Sequence, residues 1–424
     1  MREQQNVVVV GLGYIGLPTA VVLANYGSRV HGVDVNEVNV ERINRGEIPF
    51  VEPGLEEQLA RAVAEGQLTA STNTPHGDAY IVAVPTPFKN NHKGDLSYIM
   101  SAAIGIAPQL RGDELIILES TSPPRSTRKM AEFLVALRPD LSLDGADGKP
   151  AIHVAHCPER VLPGRVMEEL ITNDRIIGGM TSEATRRAKK LYATFCVGRL
   201  LETDDVTAEM TKLTENSFRD VNIAFANELS LIADKLGVDV WELIELANHH
   251  PRVNILQPGP GVGGHCIAVD PWFIVDAAPQ TARIIRAARE INDGKPQWVI
   301  DQVKAAAFDV QQETGRTPVV AALGLAFKPN IDDLRESPAL NIAADLADQF
   351  SGSEVLVVEP HVEELPAKLQ GKANVRLVSA DEAVTAADIV LLLVDHDAFA
   401  GLGEAVAGKR VIDTRGQWRG TAGQ

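Results

Sequence analysis

The sequence predicts an α/β fold: two doubly wound parallel sheets joined by a long central helix and a small helical domain. Three observations predict it. The chain opens on an apolar β-branched run, a glycine-rich turn, a helix and a second strand ending in an acid. A fainter copy of that arrangement recurs in the last third. Between the two copies, Asp204 to Lys235 runs without a proline or a glycine.

The opening run, Val7 to Val10, has the composition of a strand buried on both faces. It ends in Gly11-Leu-Gly13-Tyr14-Ile15-Gly16, after which Leu17 to Tyr26 reads as a helix, and a second strand, Arg29 to Val33, ends in Asp34. In this strand–turn–helix–strand setting the glycines read as a dinucleotide fingerprint. Gly11 permits the tight turn, Gly13 lets the backbone approach a pyrophosphate, and Gly16 lets helix and strand pack closely. The N–H groups at the helix start supply the anion site. Asp34 is placed to accept hydrogen bonds from ribose hydroxyls and to repel a 2′-phosphate, so NAD is expected rather than NADP. Further strands are expected at Ala79 to Val84, Leu115 to Leu118 and Ile152 to Ala155, which makes 1–200 an NAD-binding Rossmann domain.

A helix over Asp204 to Lys235 would be roughly 48 Å long at ~1.5 Å per residue. That length suits a connector or a dimer spine, and 201–305 is read as a central helical domain for dimerisation and catalysis. Within it, helices at Val240 to Asn248 and Thr281 to Gln302 flank a Gly/Pro-rich loop, Gln257 to Gly264. In 315–424, strands at Val319 to Leu323 and Glu354 to Val358 bracket the turn Gly324-Leu-Ala-Phe327-Lys328-Pro, and the second strand ends in Glu359. Asp388 follows Gly324 at close to the spacing at which Asp78 follows Gly11. This second Rossmann-like domain has lost the glycine fingerprint and offers Lys328 and Arg335 as cations. Two such units imply two nucleotides facing each other across a cleft.

Composition narrows the function. Forty Lys and Arg against 57 Asp and Glu give a net charge of −17, which argues against a general binder of nucleic acid or anionic lipid. The longest aliphatic run, Ile389 to Val394, is far short of the ~20 residues of a membrane helix. Met1-Arg-Glu-Gln-Gln leads straight into a strand with no apolar signal segment. The three cysteines lack CxxC spacing, so neither a disulfide framework nor a zinc site is indicated. The adjacent His249 and His250 point apart on any regular element, and no metal is expected. A cytoplasmic multidomain enzyme is the reading.

Cys266 follows the glycine-rich turn at an expected helix start, where a thiol becomes nucleophilic. A lone cysteine is more often a small buried residue, which suits Cys157 and Cys196. Lys212, Asn216 and Arg219 project from one face of the long helix, as a site or as a solvated stripe. Glu159, Arg160 and Thr86 follow strand ends, where α/β sheets place functional groups.

The chain resembles the UDP-glucose/GDP-mannose dehydrogenase family along essentially its whole length. The resemblance rests on Gly11-Leu-Gly-Tyr-Ile-Gly-Leu-Pro, Glu119-Ser-Thr121-Ser-Pro, Cys157-Pro-Glu-Arg-Val161-Leu-Pro-Gly, Lys212-Leu-Thr-Glu-Asn-Ser-Phe-Arg-Asp, Pro258-Gly-Pro-Gly-Val-Gly263-Gly-His-Cys and Gly324-Leu-Ala-Phe-Lys-Pro-Asn-Ile-Asp-Asp-Leu-Arg-Glu-Ser. It implies a homodimer carrying out an NAD-dependent four-electron oxidation of a UDP-sugar at C6, the last domain holding the UDP-sugar. UDP-N-acetyl-D-mannosamine is the substrate expected, with UDP-GlcNAc or UDP-glucose as alternatives. By resemblance, Tyr14, Ile15, Asp34, Thr86, Thr121 and Thr127 line NAD, and Lys328 and Arg335 reach the nucleotides from the last domain. Glu159, Arg160, Val161, Lys212, Asn216, Arg219, His250, Arg252, Gly263, Phe327, Lys328 and Arg415 match the sugar-nucleotide site. Cys266 matches the nucleophile, Lys212 and Asp270 the groups that handle protons and position water, and Asn216 joins Lys212 in stabilising an oxyanion. Two departures stand out. Arg125 occupies a position where the family commonly has glycine, and Arg415 one where relatives show lysine, either cation being suited to an anionic partner. A two-electron hydroxyacid dehydrogenase or a non-catalytic NAD sensor would have no use for Cys266 in its glycine-rich loop.

Overall fold

The apolar run at the start of the chain is buried on both faces and forms β1 (Asn6–Val10), from which the first sheet grows in both directions. The computed structural model describes residues 4–89, 92–264 and 266–419. The ends of the first and last expected domains, and His265 of the cysteine motif, lie outside the described residues. The chain forms two compact units, Met1–Glu215 with Asp276–Ala278 and Asn216–Val275 with Pro279–Gln424.

In the first unit β1 is followed by α1 (Gly16–Asn25), β2 (Arg29–Val33), α2 (Glu37–Asn44), α3 (Leu55–Ala64), β3 (Leu68–Ser71) and β4 (Ala79–Val82). A short ribbon of β5 (Phe88–Lys89) and β6 (Lys93–Gly94) precedes α4 (Ser97–Ile106), β7 (Leu115–Leu118), α5 (Ser126–Leu137) and β8 (His153–His156). Then come α6 (Val166–Thr172), β9 (Arg175–Gly179), α7 (Ser182–Tyr192), β10 (Leu200–Asp204) and α8 (Asp205–Leu236). The sheet order is β10-β9-β8-β7-β4-β1-β2-β3, parallel except where β8 meets β9. Alternate residues of β1 serve alternate faces: Val7 and Val9 pack with Leu17 and Val21 of α1, Val8 and Val10 with Ile99 and Met130 of α4 and α5. The strand order reverses between β2 and β4 on either side of β1. That reversal opens a crevice at the carboxyl ends of the strands, where α/β sheets bind ligands.

The unit boundary falls inside α8. The second unit continues with α9 (Val240–Asn248), α10 (Asp270–Ala277), α11 (Arg283–Thr314), β11 (Val320–Leu323), α12 (Pro338–Gln349), β12 (Val355–Val358), β13 (Val375–Leu377), α13 (Ala380–Ala386), β14 (Ile389–Leu392) and β15 (Arg410–Asp413). Its sheet, β13-β12-β11-β14-β15, is parallel throughout. The expected fold class therefore holds. Among the described residues no helix is long and apolar enough to cross a membrane.

One element differs in extent. The helix expected to end at Gln302 runs on to Thr314, with Pro296 inside it. An interior proline costs about 3 kcal/mol. Val299, Ile300, Val303, Ala307 and Val310 nevertheless continue a buried stripe at helical spacing, and Gly315 (φ +69°) supplies the stop.

The same helix buries a lysine. Lys295 Nζ donates to Ser230 Oγ at 2.6 Å and lies 3.6 Å from the Trp298 ring centroid. Burial pushes its pKa down to about 7 against the pull of Asp234. The folded value lies below the unfolded value of 10.5, so between them the unfolded chain holds the extra proton and stability rises with pH. Urea unfolding of Lys295→Met should lose that rise between pH 7 and 9 and show a gain of about 1–3 kcal/mol at pH 7. Identical pH profiles for both proteins would contradict this.

Candidate active site

The glycine turn after β1 is built as its spacing requires. Gly11 has φ +94°, and a Cβ there would lie 2.6 Å from the Ala83 carbonyl oxygen. A Cβ on Gly16 would lie 1.8 Å from the Gly11 carbonyl oxygen. At Gly13 nothing stands within 4 Å, which leaves the room a pyrophosphate needs against backbone N–H groups. Asp34, at the end of β2, accepts from Leu12 N and Asn36 N, both at 2.9 Å. Ile15 is the half-buried residue before α1. The Tyr14 hydroxyl donates to Glu52, whose carboxylate also accepts from Gly164 N at 3.0 Å and Val166 N at 2.8 Å. Glu52 thus ties the glycine turn to the Glu159–Gly164 loop. Sequence reasoning missed it, because a surface-type acid in a proline-flanked loop carries no local signal of burial. These features fit NAD.

At the neighbouring strand ends the Thr86 hydroxyl donates to the Thr121 carbonyl, joining the exits of β4 and β7. Thr127, expected along the cofactor, is anchored to the long helix. It is fully buried, and its N–H and hydroxyl donate to Glu209 of α8 at 2.8 and 2.6 Å. The second Glu209 oxygen accepts from Arg125 N at 2.5 Å. Arg125 itself has φ +70°. The chain keeps the left-handed conformation suited to glycine, at a cost of about 1 kcal/mol, and that settles the path of this loop.

On the sugar side of the first unit, Glu159 is buried and accepts from Val161 N at 2.7 Å. Burial raises its pKa, opposed by the Arg175 guanidinium and the Lys212 ammonium. Arg160 pairs with Glu215 at 2.6 Å and donates to the Asp174 carbonyl at 3.0 Å. Glu159, Arg160, half-buried Val161 and Lys212 therefore gather around the β8 exit and the first half of α8.

In the second unit Cys266 is exposed on a turn whose carbonyl accepts from Val269 N at 3.1 Å and Asp270 N at 2.9 Å. The helix expected at the cysteine begins at Asp270 instead, because this turn intervenes. Asp270 is buried and accepts from Asn216 Nδ2 at 2.5 Å. The glycine-rich loop packs where side chains do not fit. A Cβ on Gly263 would lie 2.6 Å from both the Glu336 carbonyl oxygen and Pro338 Cδ, and one on Gly264 (φ +83°) would face the Phe327 ring. Partial burial and then Arg219 hold the Lys328 pKa down, while the charge of Cys266 pulls it up. Lys328 thus lies within electrostatic reach of the thiol, and a cation near a thiol favours its nucleophilic thiolate form.

The other expected residues of the second unit have local partners of their own. His250 and Arg252 are exposed after α9, with His250 Nδ1 accepting from Arg252 N at 3.3 Å. Arg335 pairs with Asp333 at 2.6 Å. Arg415 pairs with Asp395 at 2.7 Å and reaches the Pro258 carbonyl at 3.5 Å, at the foot of the cysteine loop. Cys157 is buried, and burial pushes its thiol up to about 12. Among the described residues one group has metal-ligand character: Glu359, His361 and His396, whose ligand atoms lie within 4.8 Å of one another. His396 Nδ1 accepts from Asn330 N at 3.0 Å, so Nε2 carries the proton and donates to Glu359. In that tautomer the pair makes a hydrogen-bonded strut.

Comparison with known proteins agrees with this construction. The UDP-glucose/GDP-mannose dehydrogenase family matches in three consecutive parts: its NAD binding domain over residues 5–196, its central domain over 206–294 and its UDP binding domain over 321–420. The chain is 58% identical over 416 residues to UDP-N-acetyl-D-mannosamine dehydrogenase of Escherichia coli, covering 97% of this chain and 98% of that one. It is 57% identical over 416 residues to NDP-N-acetyl-D-galactosaminuronic acid dehydrogenase of Ralstonia nicotianae, covering 98% and 96%. The solved structure of UDP-D-ManNAc dehydrogenase from Pyrococcus horikoshii superposes with a TM-score of 0.84 at 37% identity, covering 97% of this chain and 96% of that one. The chain belongs to the UDP-glucose/GDP-mannose dehydrogenase family and is an NAD-dependent oxidoreductase.

Proposed function

We propose that the protein oxidises UDP-N-acetyl-D-mannosamine at C6 to UDP-N-acetyl-D-mannosaminuronate, as a cytoplasmic homodimer making a precursor of surface polysaccharide. The observation that carries the chemistry is the exposed Cys266, whose carbonyl accepts from the N–H of Asp270 in the buried Asn216–Asp270 pair and whose charge reaches Lys328. Identity with the Escherichia coli enzyme over nearly the whole chain supports the substrate. In this reading 1–200 holds NAD, 201–305 supplies catalytic and dimer-forming helices, and 315–424 holds the UDP-sugar. Gly11 to Gly16, Asp34, Thr86 and Thr121 would hold NAD, which supplies the hydride acceptor for each of two oxidations.

Lys212, or a water it holds, removes the C6 hydroxyl proton, and the first oxidation leaves an aldehyde. The Cys266 thiolate adds to the carbonyl carbon and forms a thiohemiacetal, with Asn216 donating to the oxyanion. The second oxidation leaves a thioester. Water positioned by Asp270 cleaves it to the carboxylate and returns the thiol. Turnover of UDP-ManNAc, UDP-GlcNAc, UDP-GalNAc and UDP-glucose side by side should give the highest kcat/KM with UDP-ManNAc, and two NADH per mole consumed. One NADH per mole with aldehyde accumulating would overturn the mechanism. Preference for the galacto sugar would move the protein to the Ralstonia activity.

The dimer is supported by α8. Phe218, Phe225, Ile232 and Leu236 are all exposed, and their spacing puts them on one helical face. Exposed apolar stripes of this kind mark association surfaces. Phe225→Asp should therefore sediment as a monomer at concentrations where the parent protein is dimeric. An unchanged sedimentation coefficient would remove α8 as the interface. Arg252 is proposed to reach the neighbouring subunit's nucleotide.

A further inference from the structure

The two sheets repeat one contact. In the first unit Asp34 accepts from Leu12 N, the amide that follows the first glycine of the turn. In the second, Glu359 ends β12 in the same way and accepts from Leu325 N at 2.7 Å and Ala326 N at 3.0 Å, the two amides after Gly324. There the likeness stops. Asp34 is half-buried, whereas Glu359 is buried and is met by a fully buried imidazole. His396, just beyond β14, donates from Nε2 to Glu359 Oε2 at 3.1 Å. Its Nδ1 accepts from Asn330 N at 3.0 Å, and the Asn330 side chain accepts from Asp397 N at 3.0 Å.

The segment 325–330 is therefore held at both ends by one acid–imidazole pair. The carboxylate grips Leu325 and Ala326, and the imidazole grips Asn330. Between the two grips stand Phe327, against which Gly263 and Gly264 of the cysteine loop pack, and Lys328, which feels the charge of Cys266. Burial alone would raise the Glu359 pKa, but His396 and the two amides hold it below its usual range, so the carboxylate stays charged and able to grip. Neither residue is in the group around Cys266, and neither carries a function so far.

We infer that Glu359 and His396 are positioning residues, which lock the degenerate turn after β11 against the Gly263–Gly264 turn of the cysteine loop and so keep Lys328 within charge reach of the Cys266 thiol. The inference rests on the proposed role of Cys266, and its test does not depend on turnover of any sugar nucleotide. The measurement is the rate at which iodoacetamide alkylates Cys266 across pH, localised by peptide mass, in the full-length protein. Lys328→Met should slow alkylation at neutral pH and shift its pH profile upward, because a cation next to the thiolate is lost. Glu359→Gln, with Lys328 intact, should do the same, by about fivefold or more. Added to Lys328→Met, it should change the rate by less than about twofold, since both variants act through one ammonium. Losses that multiply, or a Glu359→Gln profile that stays with the parent, would overturn the inference. His396→Gln puts the same question from the other end of the segment, with the same two outcomes, should Glu359→Gln fail to fold as judged by its melting curve. If the alkylation cycle behaves as expected while UDP-ManNAc yields no uronate, the substrate assignment fails and the positioning role stands.

Discussion

Cys266→Ala should abolish uronate formation, lowering its rate by about a thousandfold or more, while NAD and UDP-sugar affinities stay near those of the parent. The first oxidation of an alcohol to an aldehyde is uphill and reversible, so little aldehyde should escape and NADH should appear only weakly. Cys266→Ser separates the steps further. An alkoxide can add to the aldehyde, but the resulting ester hydrolyses more slowly than a thioester. An enzyme–uronyl nucleotide adduct should then accumulate and show as a mass increase in the intact protein. Lys212→Ala should impair the first oxidation and give no adduct. Uronate release by Cys266→Ala at near the parent rate would make the thiol structural.

The largest stability effect is expected at the core of the second unit. Arg289 and Asp220 are both fully buried and meet at 2.6 Å. Asp220 also accepts from Asn292 Nδ2 at 2.8 Å, Asn292 Oδ1 accepts from Asn227 at 2.8 Å, and Asn227 Oδ1 accepts from Gly259 N at 2.9 Å. This polar ladder between α8 and α11 therefore ends on the glycine-rich loop that carries Cys266. Arg289→Met leaves a buried carboxylate without its counter-charge, which costs about 3–5 kcal/mol. Adding Asp220→Asn removes the stranded charge and should restore most of that loss. Urea unfolding of the single and double variants measures both terms. A loss below about 1 kcal/mol for Arg289→Met would mean that solvent, with the Asn292 amide already on it, satisfies Asp220 in its place.

Where local pattern and tertiary contact agree, the sequence was readable to a residue or so. The strands at Arg29–Val33 and Leu115–Leu118 and the helix Val240–Asn248 lie where their patterns put them. The long helix is displaced by one position, to Asp205–Leu236. The antiparallel joint between β8 and β9 was not legible, because strand direction leaves no mark in a short apolar run. The same holds for Glu52, Glu209 and His396. Each is buried against backbone amides from distant segments, and its neighbours in sequence do not announce it. Cys266 drew attention through its glycines. The surroundings of Arg415 and Thr127 depended on Asp395 and Glu209, partners that no spacing rule connects to them.

The two glycine turns also form a comparison that the chain carries within itself. Gly11 and Gly324 hold matching places after β1 and β11, with φ of +94° and +89°, and a Cβ on either would collide with the neighbouring strand's exit, at Ala83 or Val394. Gly13, whose Cβ would meet nothing, has as its counterpart the buried Ala326. Of these two positions, the one whose φ and close approach demand glycine keeps it in both turns. The one that only a pyrophosphate needs survives solely where a dinucleotide binds. The pair of turns thus separates a glycine that geometry demands from one whose open space serves a ligand.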